Sequence, residues 1–376
     1  MEAAELIARP EVQAALRGAG TPFFVLERAA VRRAYRALRA ALPQVEHHYA
    51  VKALSHPEVL RVLAEEGAGF DVATTAELDA VLAAGVPPER IIHTHPHKKP
   101  RDIQDAIARG ARAFVADSDA ELRKLAEHAP GVEVLARLAF QNEHALIDLS
   151  SKFGLYPVEV DGFLEYAAGL GVRIVGFSYH VGSQNADLGI ARDSLRAAID
   201  RLDAARAAGH PADVVDIGGG FPVRYTAPVP SLDEIAAVLA PIMAGRPDIR
   251  FLAEPGRLLA AGALHLVTSV VSTAHRPGDG TDWVFVDDGL FGGYTNVLTD
   301  HVMPPIHAMV PGDREPRPQT LGGPTCDSSD VIARDLVLPR LEIGDLLVSP
   351  LMGAYTLELA TRFNGIPPTR VIVLEE

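Results

Sequence analysis

The sequence predicts an α/β protein in which a (β/α)8 barrel is followed by an antiparallel β-sandwich or β-barrel domain. Between residues 45 and 254, eight short β-branched or apolar runs alternate with longer stretches of helical period, as βα units that close into a barrel do. After Leu264 the pattern changes to valine-rich alternating runs separated by Pro and Gly turns, which favours antiparallel strands. The length of 376 residues allows one large and one smaller domain.

The barrel elements are predicted from this alternation, strand by strand. The expected strands are residues 45–51, 69–72, 91–93, 113–116, 132–138, 174–180, 214–217 and 251–254. Stretches of helix-forming composition lie between several of them, at residues 57–66, 76–84, 120–128, 191–208 and 232–244.

The second domain is predicted from strand-like runs on both sides of the barrel. The later runs are residues 265–272, 283–286, 341–349 and 369–374. The run at residues 21–26 precedes the barrel and is assigned to the second domain. We therefore expect the barrel at residues 28–262 and the β domain at residues 1–27 and 263–376. The sequence VPGDREPRPQT at residues 310–320 predicts an exposed loop.

Charge and cysteine content exclude several classes of function. The 35 basic and 49 acidic residues give a formal net charge of −14, which would repel nucleic acid and an anionic membrane. Cys326 is the single cysteine, so no intrachain disulfide can form and a reducing compartment is expected. No apolar run reaches the roughly 18 residues that span a bilayer, and no signal peptide pattern is visible. We expect a soluble, cytoplasmic protein that binds small molecules.

Polar residues cluster at the ends of the predicted barrel strands, which meet on one rim in this architecture. They are Lys52, Asp71, His93, His95, Asp117, Arg137, His180, Gly218 to Gly220, Glu254 and Arg257. A single buried lysine at a strand end is usually a salt-bridged structural residue, but so many polar residues on one rim favour catalysis. The triple glycine of DIGGGFP would let backbone N–H groups approach an anion, although a tight turn could use the same residues.

A series of ordered motifs gives a family resemblance. The motifs are YAVKA around Lys52, FDVATTAEL, SKFG from Ser151, SYHVGSQ, DIGGGFP, AEPGR, VDDGLFG, GGPTCDSSD, GAYT and FNG. In this order, from about Thr21 to the C-terminus, the chain resembles the ornithine/diaminopimelate/arginine decarboxylase family. The resemblance implies a pyridoxal 5'-phosphate (PLP) enzyme with an alanine-racemase-like barrel and a C-terminal β domain.

The resemblance implies that the barrel residues bind PLP. Lys52 would form the Schiff base, Glu254 would face the pyridine nitrogen, and His180 would stack on the ring. The phosphate would be held by Ser183, Gly218, Gly219, Gly220, Gly256, Arg257 and Tyr355. Asp71 and Arg137, on the same rim, are assigned to the cofactor site.

The resemblance also implies roles for residues of the β domain. Cys326 is similar to the family's proton donor to the substrate α-carbon, and Asp327 to its contact with the distal end of the substrate. In this family that loop comes from the other subunit, as does Phe363, so a homodimer with shared active sites is implied. Asp288 is a second candidate contact for the substrate. The predicted catalytic residues are Lys52, Cys326, His180 and Glu254.

The expected activity is decarboxylation of L-ornithine or L-lysine to a diamine, as in polyamine biosynthesis. A distal ammonium group needs carboxylates, which Asp288 and Asp327 offer, whereas diaminopimelate needs arginine or hydroxyl donors. Diaminopimelate decarboxylase, another specialised decarboxylase and a non-catalytic regulatory homologue remain alternatives. The histidines of HTHPHKKP, His93, His95 and His97, have a spacing that could hold a metal. We expect no metal, because no carboxylate-bridged second pair of ligands is visible.

Overall fold

The structure is a computed structural model that describes residues 1–140, 152–278 and 280–375. The chain forms two compact units. The barrel unit comprises Arg32–Val223 and Val229–Leu259, and the β unit comprises Met1–Val31, Arg224–Pro228 and Ala260–Glu376. Ser151, the first residue of the SKFG motif, lies outside the described residues.

Two short helices and one strand precede the barrel. They are α1 (Ala3–Ala8), α2 (Pro10–Arg17) and β1 (Phe23–Leu26). Pro10 occupies the first turn of α2, where a missing N–H leaves no intrahelical bond unmade. All four residues of β1 are buried, and this strand confirms the one predicted at residues 21–26.

Eight parallel strands close into a barrel. They are β2 (Val45–Ala50), β3 (Gly69–Val72), β4 (Ile91–His93), β5 (Ala113–Ala116), β6 (Glu133–Leu138), β7 (Arg173–Tyr179), β8 (Val214–Asp216) and β9 (Arg250–Ala253). The barrel closes where β9 pairs with β2, with Val45 opposite Phe251. Each strand agrees with its predicted run to within about one residue at either end, so the (β/α)8 barrel is confirmed.

One further helix precedes the first barrel strand along the chain, and others follow the strands. They are α3 (Arg28–Ala41), α4 (Pro57–Glu65), α5 (Thr75–Ala83), α6 (Pro100–Ala108), α7 (Asp119–His128), α8 (Val160–Gly169), α9 (Leu188–Ala207), α10 (Leu232–Ala244) and α11 (Arg257–Ala260). Side-chain oxygens of Thr74, Ser118 and Ser231 accept N–H groups of the first turn and fix where α5, α7 and α10 begin. The five predicted helical stretches are confirmed. No helix among the described residues has the length and apolar character to cross a membrane.

Apolar packing makes the barrel a rigid support for its rim. Side chains from five neighbouring strands form one cluster, and each of them is at most 5% exposed. Its members are Val115, Leu135, Val175, Val214 and Leu252. At Gly176 of β7 a Cβ would lie 1.9 Å from the carbonyl oxygen of Val214, so only glycine allows these two strands to approach so closely.

The β unit contains one mostly antiparallel sheet. Its later elements are β10 (Leu264–Arg276), β11 (Thr281–Val286), α12 (Thr295–Asp300), β12 (His307–Met309), β13 (Pro316–Gly322), β14 (Val331–Pro339), β15 (Leu346–Ser349) and β16 (Arg370–Val373). The strand order is β12, β15, β10, β11, β13, β14, and β1 pairs with both β10 and β16. The pairs β1–β16 and β11–β13 are parallel. Both join strands far apart in sequence, as parallel pairing requires.

The prediction of an exposed loop at residues 310–320 is only partly correct. Residues 316–320 belong to β13, which pairs with β14 along its length. Pairing of β13 with β11 begins only at Thr320. Pro316 and Pro318 therefore have a strand partner on one side only, and proline is tolerated at such an edge. The prolines mark the edge of a sheet here, not a loop.

Candidate active site

Lys52 stands on the rim of the barrel, directly after β2. It lies in the 3-10 turn Val51–Ala53, whose other two residues are buried. Its amine nitrogen is 3.7 Å from Oδ2 of Asp71 in β3. The Asp71 side chain is 3% exposed and that of Lys52 is 46% exposed. A buried carboxylate therefore holds the amine while leaving it accessible, as a nucleophile requires.

The other four lysines of the chain occupy different environments. The amine of Lys98 is buried, lies 2.9 Å from Oε1 of Glu121 and donates to two backbone carbonyl oxygens. Lys124 pairs with the same carboxylate. Lys99 and Lys152 are exposed. Among the five lysines, Lys52 is thus the one that combines an accessible amine with a buried carboxylate partner.

Two buried carboxyl groups lie at the ends of β8 and β9. Asp216 is 0% exposed and Glu254 is 9% exposed. The N–H of Glu254 donates to the carbonyl oxygen of Gly218, whose N–H donates to Oδ1 of Asp216. Burial, and then the charges of Asp216 and Asp71, raise the pKa of Glu254 well above its usual value. Burial also raises the pKa of Asp216. Burial therefore disfavours the charged form of both carboxyl groups, and the charge of each one disfavours the charge of the other.

The loop after β8 has a backbone that only glycine can form. Gly218 and Gly220 have φ values of +65° and +93°. A Cβ at Gly219 would lie 2.7 Å from the carbonyl oxygen of Glu254, and one at Gly220 would lie 2.4 Å from that of Gly182. The N–H groups of Gly219 and Gly220 donate to no acceptor within the described residues. Because N–H groups in such positions are almost always paired, these two fit an anion.

Two arginines supply positive charge to the barrel rim. Arg257 follows Gly256, is 5% exposed, and donates to Oγ of Ser183 at 3.1 Å. The guanidinium of Arg137 in β6 lies 5.2 Å from the centre of the Phe153 ring. A guanidinium has five N–H donors and a permanent charge, so the buried Arg257 is suited to a phosphate.

His180 follows β7 and presents a neutral ring. The N–H of Gly182 donates to Nδ1 at 2.9 Å, so the ring hydrogen is on Nε2. Burial, together with the charges of Arg137 and Lys52, lowers the pKa of His180 to about 3. Its Nε2 lies 3.1 Å from where a Cβ of Gly219 would be. A neutral ring at this place can stack on a cationic ring without repulsion.

The histidines of HTHPHKKP contact aromatic rings and polar groups, and two of them, His95 and His97, share the Phe153 ring. His93 is 1% exposed and stacks on Phe114, with ring centres 5.7 Å apart. Nδ1 of His95 accepts the N–H of His97, and Nε2 of His97 is 3.5 Å from Oδ1 of Asp117. Across residues 1–140, 152–278 and 280–375, no group of three His, Cys, Asp or Glu side chains is placed to hold a metal ion.

Asp288 is a buried carboxylate of the β unit, 4% exposed. Its Oδ1 accepts the N–H groups of Gly289 and Gly293 at 2.8 Å, and its Oδ2 accepts the Thr369 hydroxyl at 2.7 Å. Burial raises the pKa of Asp288. A carboxylate offers about four lone-pair sites, so one remains for a ligand. Asp288 lines a small cavity together with Phe291, Pro324, Thr325, Phe363 and Thr369.

Cys326 and Asp327 lie in the loop between β13 and β14. Cys326 is a free, exposed thiol. Oδ1 of Asp327 accepts both the N–H and the hydroxyl of Ser329. Phe363 is 39% exposed and packs on Phe291, with ring centres 4.8 Å apart.

The predicted site residues are divided between the two units. The barrel unit brings together those on its rim: Lys52, Asp71, Arg137, His180, Ser183, Gly218, Gly219, Gly220, Glu254, Gly256 and Arg257. The β unit holds Asp288, Cys326, Asp327, Tyr355 and Phe363. Tyr355 is half-buried and has a φ of +56°, which is uncommon for a residue other than glycine.

Three residues that sequence reasoning did not single out organise these groups. Asp216 is the carboxyl partner of Glu254. Asp330 accepts the N–H of Leu290 at 2.8 Å and both the N–H and the hydroxyl of Thr325, so it joins two motif loops. Asn364 contacts Cys326 twice. Each of the three belongs to one of the motifs that carry the family resemblance, namely DIGGGFP, GGPTCDSSD and FNG. Membership of these motifs was the signal by which the sequence could have indicated them.

The barrel, its accessible lysine, its buried carboxyl pair and its glycine loop together fit a PLP-dependent enzyme of the alanine-racemase-like fold. A family model described as the pyridoxal-binding domain of pyridoxal-dependent decarboxylases matches residues 28–261. The chain belongs to the ornithine/diaminopimelate/arginine decarboxylase family. It is a PLP-dependent amino-acid decarboxylase, a lyase, and its cofactor is pyridoxal 5'-phosphate.

Similar proteins place the chain in the ornithine/lysine branch and among decarboxylases of basic amino acids. The lysine/ornithine decarboxylase of Selenomonas ruminantium is 35% identical over 98% of this chain and 94% of that protein. The lysine/ornithine decarboxylase of Vibrio vulnificus in complex with cadaverine has a TM-score of 0.92 and 39% identity over 100% of both chains. Its putrescine complex has a TM-score of 0.91 and 38% identity, over 100% of this chain and 99% of that one.

Asp216→Asn should raise the melting temperature of the cofactor-free protein at pH 8 and raise it less at pH 4.5. The pKa of Asp216 in the folded protein is about 6, above the usual value of about 3.9, so ionisation destabilises the fold as pH rises through about 6. Removing that ionisation should raise the free energy of unfolding by roughly 1–3 kcal/mol at pH 8. This corresponds to an increase of several degrees in the melting temperature. Thermal denaturation at both pH values measures this.

Asp213→Asn is the matched control, because Asp213 is exposed and directly precedes the same strand. Its melting temperature should stay within about a degree of the parent at both pH values. Equal shifts for Asp216→Asn at the two pH values would contradict the raised pKa.

Proposed function

We propose that this protein decarboxylates L-ornithine or L-lysine to CO2 and the corresponding diamine, putrescine or cadaverine. The observation that carries the proposal is the arrangement on four consecutive barrel strands, β8, β9, β2 and β3. Their ends carry the Asp216–Glu254 pair, the amine of Lys52 and the carboxylate of Asp71. The unpaired N–H groups of Gly219 and Gly220 complete the same part of the rim.

Each rim residue then has a role toward the cofactor. Bound PLP supplies an electron sink for the electron pair left behind when the substrate carboxylate departs as CO2. Lys52 would hold the cofactor through its amine, and Asp71 would orient that amine. Glu254, with its partner Asp216, would supply a counter-charge to the ring nitrogen. His180 would support the ring face, and the phosphate would be held by Gly218, Gly219, Gly220, Gly256, Ser183, Arg257 and Tyr355, with Arg137 adding charge.

The β unit supplies the substrate side of the proposal. Asp288 and Asp327 bind the distal ammonium, Phe363 covers the substrate chain, and Cys326 delivers a proton to the α-carbon. In the proposed homodimer Cys326, Asp327 and Phe363 act in the partner's site. Residues 28–262 are then the cofactor domain, and residues 1–27 and 263–376 are the substrate and interface domain. A single cysteine used as a thiol suits the reducing cytoplasm.

The decisive experiment is product analysis with the purified holoenzyme on ornithine, lysine, arginine and meso-diaminopimelate. We expect kcat/KM for ornithine or lysine to exceed that for meso-diaminopimelate by more than about 100-fold, because the carboxylates of Asp288 and Asp327 would repel a distal carboxylate. Mass spectrometry should detect putrescine or cadaverine. Preferred turnover of meso-diaminopimelate, or release of no amine from any of the four, would refute the proposal.

Lys52→Ala should lower turnover by more than about 1,000-fold and remove the visible absorption of lysine-bound cofactor. The reason is that no other described lysine combines an accessible amine with a buried carboxylate partner. Absorption spectra and steady-state kinetics measure both effects. Lys99→Ala, which removes an exposed amine, is the control and should match the parent in both. A Lys52→Ala protein that keeps both properties would show that another residue binds the cofactor.

Mixing Lys52→Ala with Cys326→Ala should restore activity, because a two-fold dimer with shared sites then forms hybrids with one intact site. About a quarter of the parent activity is expected when half of the dimers are hybrids and each has one of two sites intact. Subunit exchange must be shown first with a fluorescence or mass label. Labelled hybrids whose activity stays at the level of the separate variants would mean that sites are not shared.

A further inference from the structure

The loop that carries Cys326 is exposed, so hydrogen bonds and not packing must fix the thiol. The side chain of Asn364 makes two of these hydrogen bonds. The backbone N–H of Cys326 donates to Oδ1 of Asn364 at 3.0 Å, and Nδ2 of Asn364 donates to Sγ of Cys326 at 3.3 Å. The N–H can only donate, so it must face the amide oxygen, and the amide NH2 must then face the sulfur.

The backbone of Asn364 is shaped to present this amide. Asn364 has φ 56° and ψ 14° within the 3-10 turn Phe363–Gly365. Asparagine and glycine adopt this left-handed conformation more readily than other residues. The turn is anchored because the N–H of Phe363 donates to the Thr361 hydroxyl, and the N–H of Thr361 donates to the carbonyl oxygen of Phe291. These hydrogen bonds therefore hold in place the turn that carries the Asn364 amide.

The opposite side of the Cys326 loop is fixed by Asp330. Its buried carboxylate accepts the N–H and hydroxyl of Thr325, and its carbonyl oxygen accepts the N–H of Gly323. A Cβ at Gly323 would lie 2.3 Å from this carboxylate. The segment leading to Cys326 is thus held by Asp330, and Cys326 itself by Asn364.

We propose that Asn364 is the positioning residue for the Cys326 thiol, which selects where Cys326 delivers its proton. The inference rests on the proposed function, in which Cys326 protonates the substrate α-carbon. In the contact with Nδ2 the sulfur is the acceptor, so the S–H hydrogen is not consumed and stays available for transfer. Fixing both the backbone and the sulfur leaves the thiol one orientation instead of several.

The test compares Asn364→Gly and Asn364→Asp in the holoenzyme. Glycine keeps the left-handed turn but removes the amide. Aspartate keeps an acceptor for the Cys326 N–H but replaces the donor at the sulfur with an oxygen. Asn364→Asp loses one hydrogen bond and should lower kcat by about three- to tenfold, and Asn364→Gly loses two and should lower kcat at least as much, with KM changed by less than about twofold in both. Ser328→Ala, in the same loop and without a side-chain hydrogen bond in the described residues, is the control and should match the parent.

A second readout follows the thiol itself. Cys326 is the only cysteine, so the rate of its alkylation by iodoacetamide reports on this site alone. Both Asn364 variants should change that rate by about threefold or more, and Ser328→Ala should leave it unchanged. In the double variant Cys326→Ala with Asn364→Gly, kcat should equal that of Cys326→Ala alone, because a positioning residue has no effect once the thiol is gone.

The outcomes separate the two proposals. If Cys326→Ala keeps full kcat, the proposed role of Cys326 fails. If Cys326→Ala is impaired, the inference on Asn364 is overturned by any of three results: unchanged kcat in both Asn364 variants, unchanged alkylation rates, or additive losses in the double variant. A change in KM alone also overturns it, since Asn364 would then act on substrate binding. Should Asn364→Gly fail to fold, Asn364→Asp decides the question.

Discussion

Three buried carboxyl groups at the ends of barrel strands, one of them paired with an amine, set the constraint on which the active site depends. Asp71, Asp216 and Glu254 are each at most 9% exposed, and Lys52 is the lysine among them. Burial disfavours a charged carboxylate, and like charges close together raise the pKa of each other. Burial and the neighbouring carboxyl groups therefore raise the pKa of Glu254 well above that of an isolated surface glutamate.

This constraint explains why the barrel suits a cofactor that carries both signs of charge. The carboxyl pair would offer a counter-charge to a basic ring nitrogen. A phosphate would meet the opposite environment, made of the N–H groups of Gly219 and Gly220, which donate to no acceptor in the described part of the chain, and the buried guanidinium of Arg257. Acidic and anion-binding groups follow adjacent strands β8 and β9, because a closed parallel barrel brings these strand ends to one rim.

The sequence was sufficient for the barrel because every strand is a short apolar run between two helical stretches. It was insufficient at β13, where Pro316 and Pro318 resemble a loop until the sheet edge is known. The roles of Lys52 and Glu254 came from the ordered motifs, whereas their electrostatic environment required the structure. The links that Asp330 makes to Leu290 and Asn364 makes to Cys326 could not be recognised from local pattern, since the two residues of each pair are 40 and 38 positions apart.

The central claim is that the amine after β2 holds the cofactor, and reductive trapping tests it most directly. The holoenzyme with at most one equivalent of PLP would be treated with borohydride, which converts a Schiff base into a stable secondary amine, and its peptides analysed by mass spectrometry. The account predicts the cofactor mass on the peptide containing Lys52. Stoichiometric labelling of Lys98, Lys99, Lys124 or Lys152 instead would contradict it.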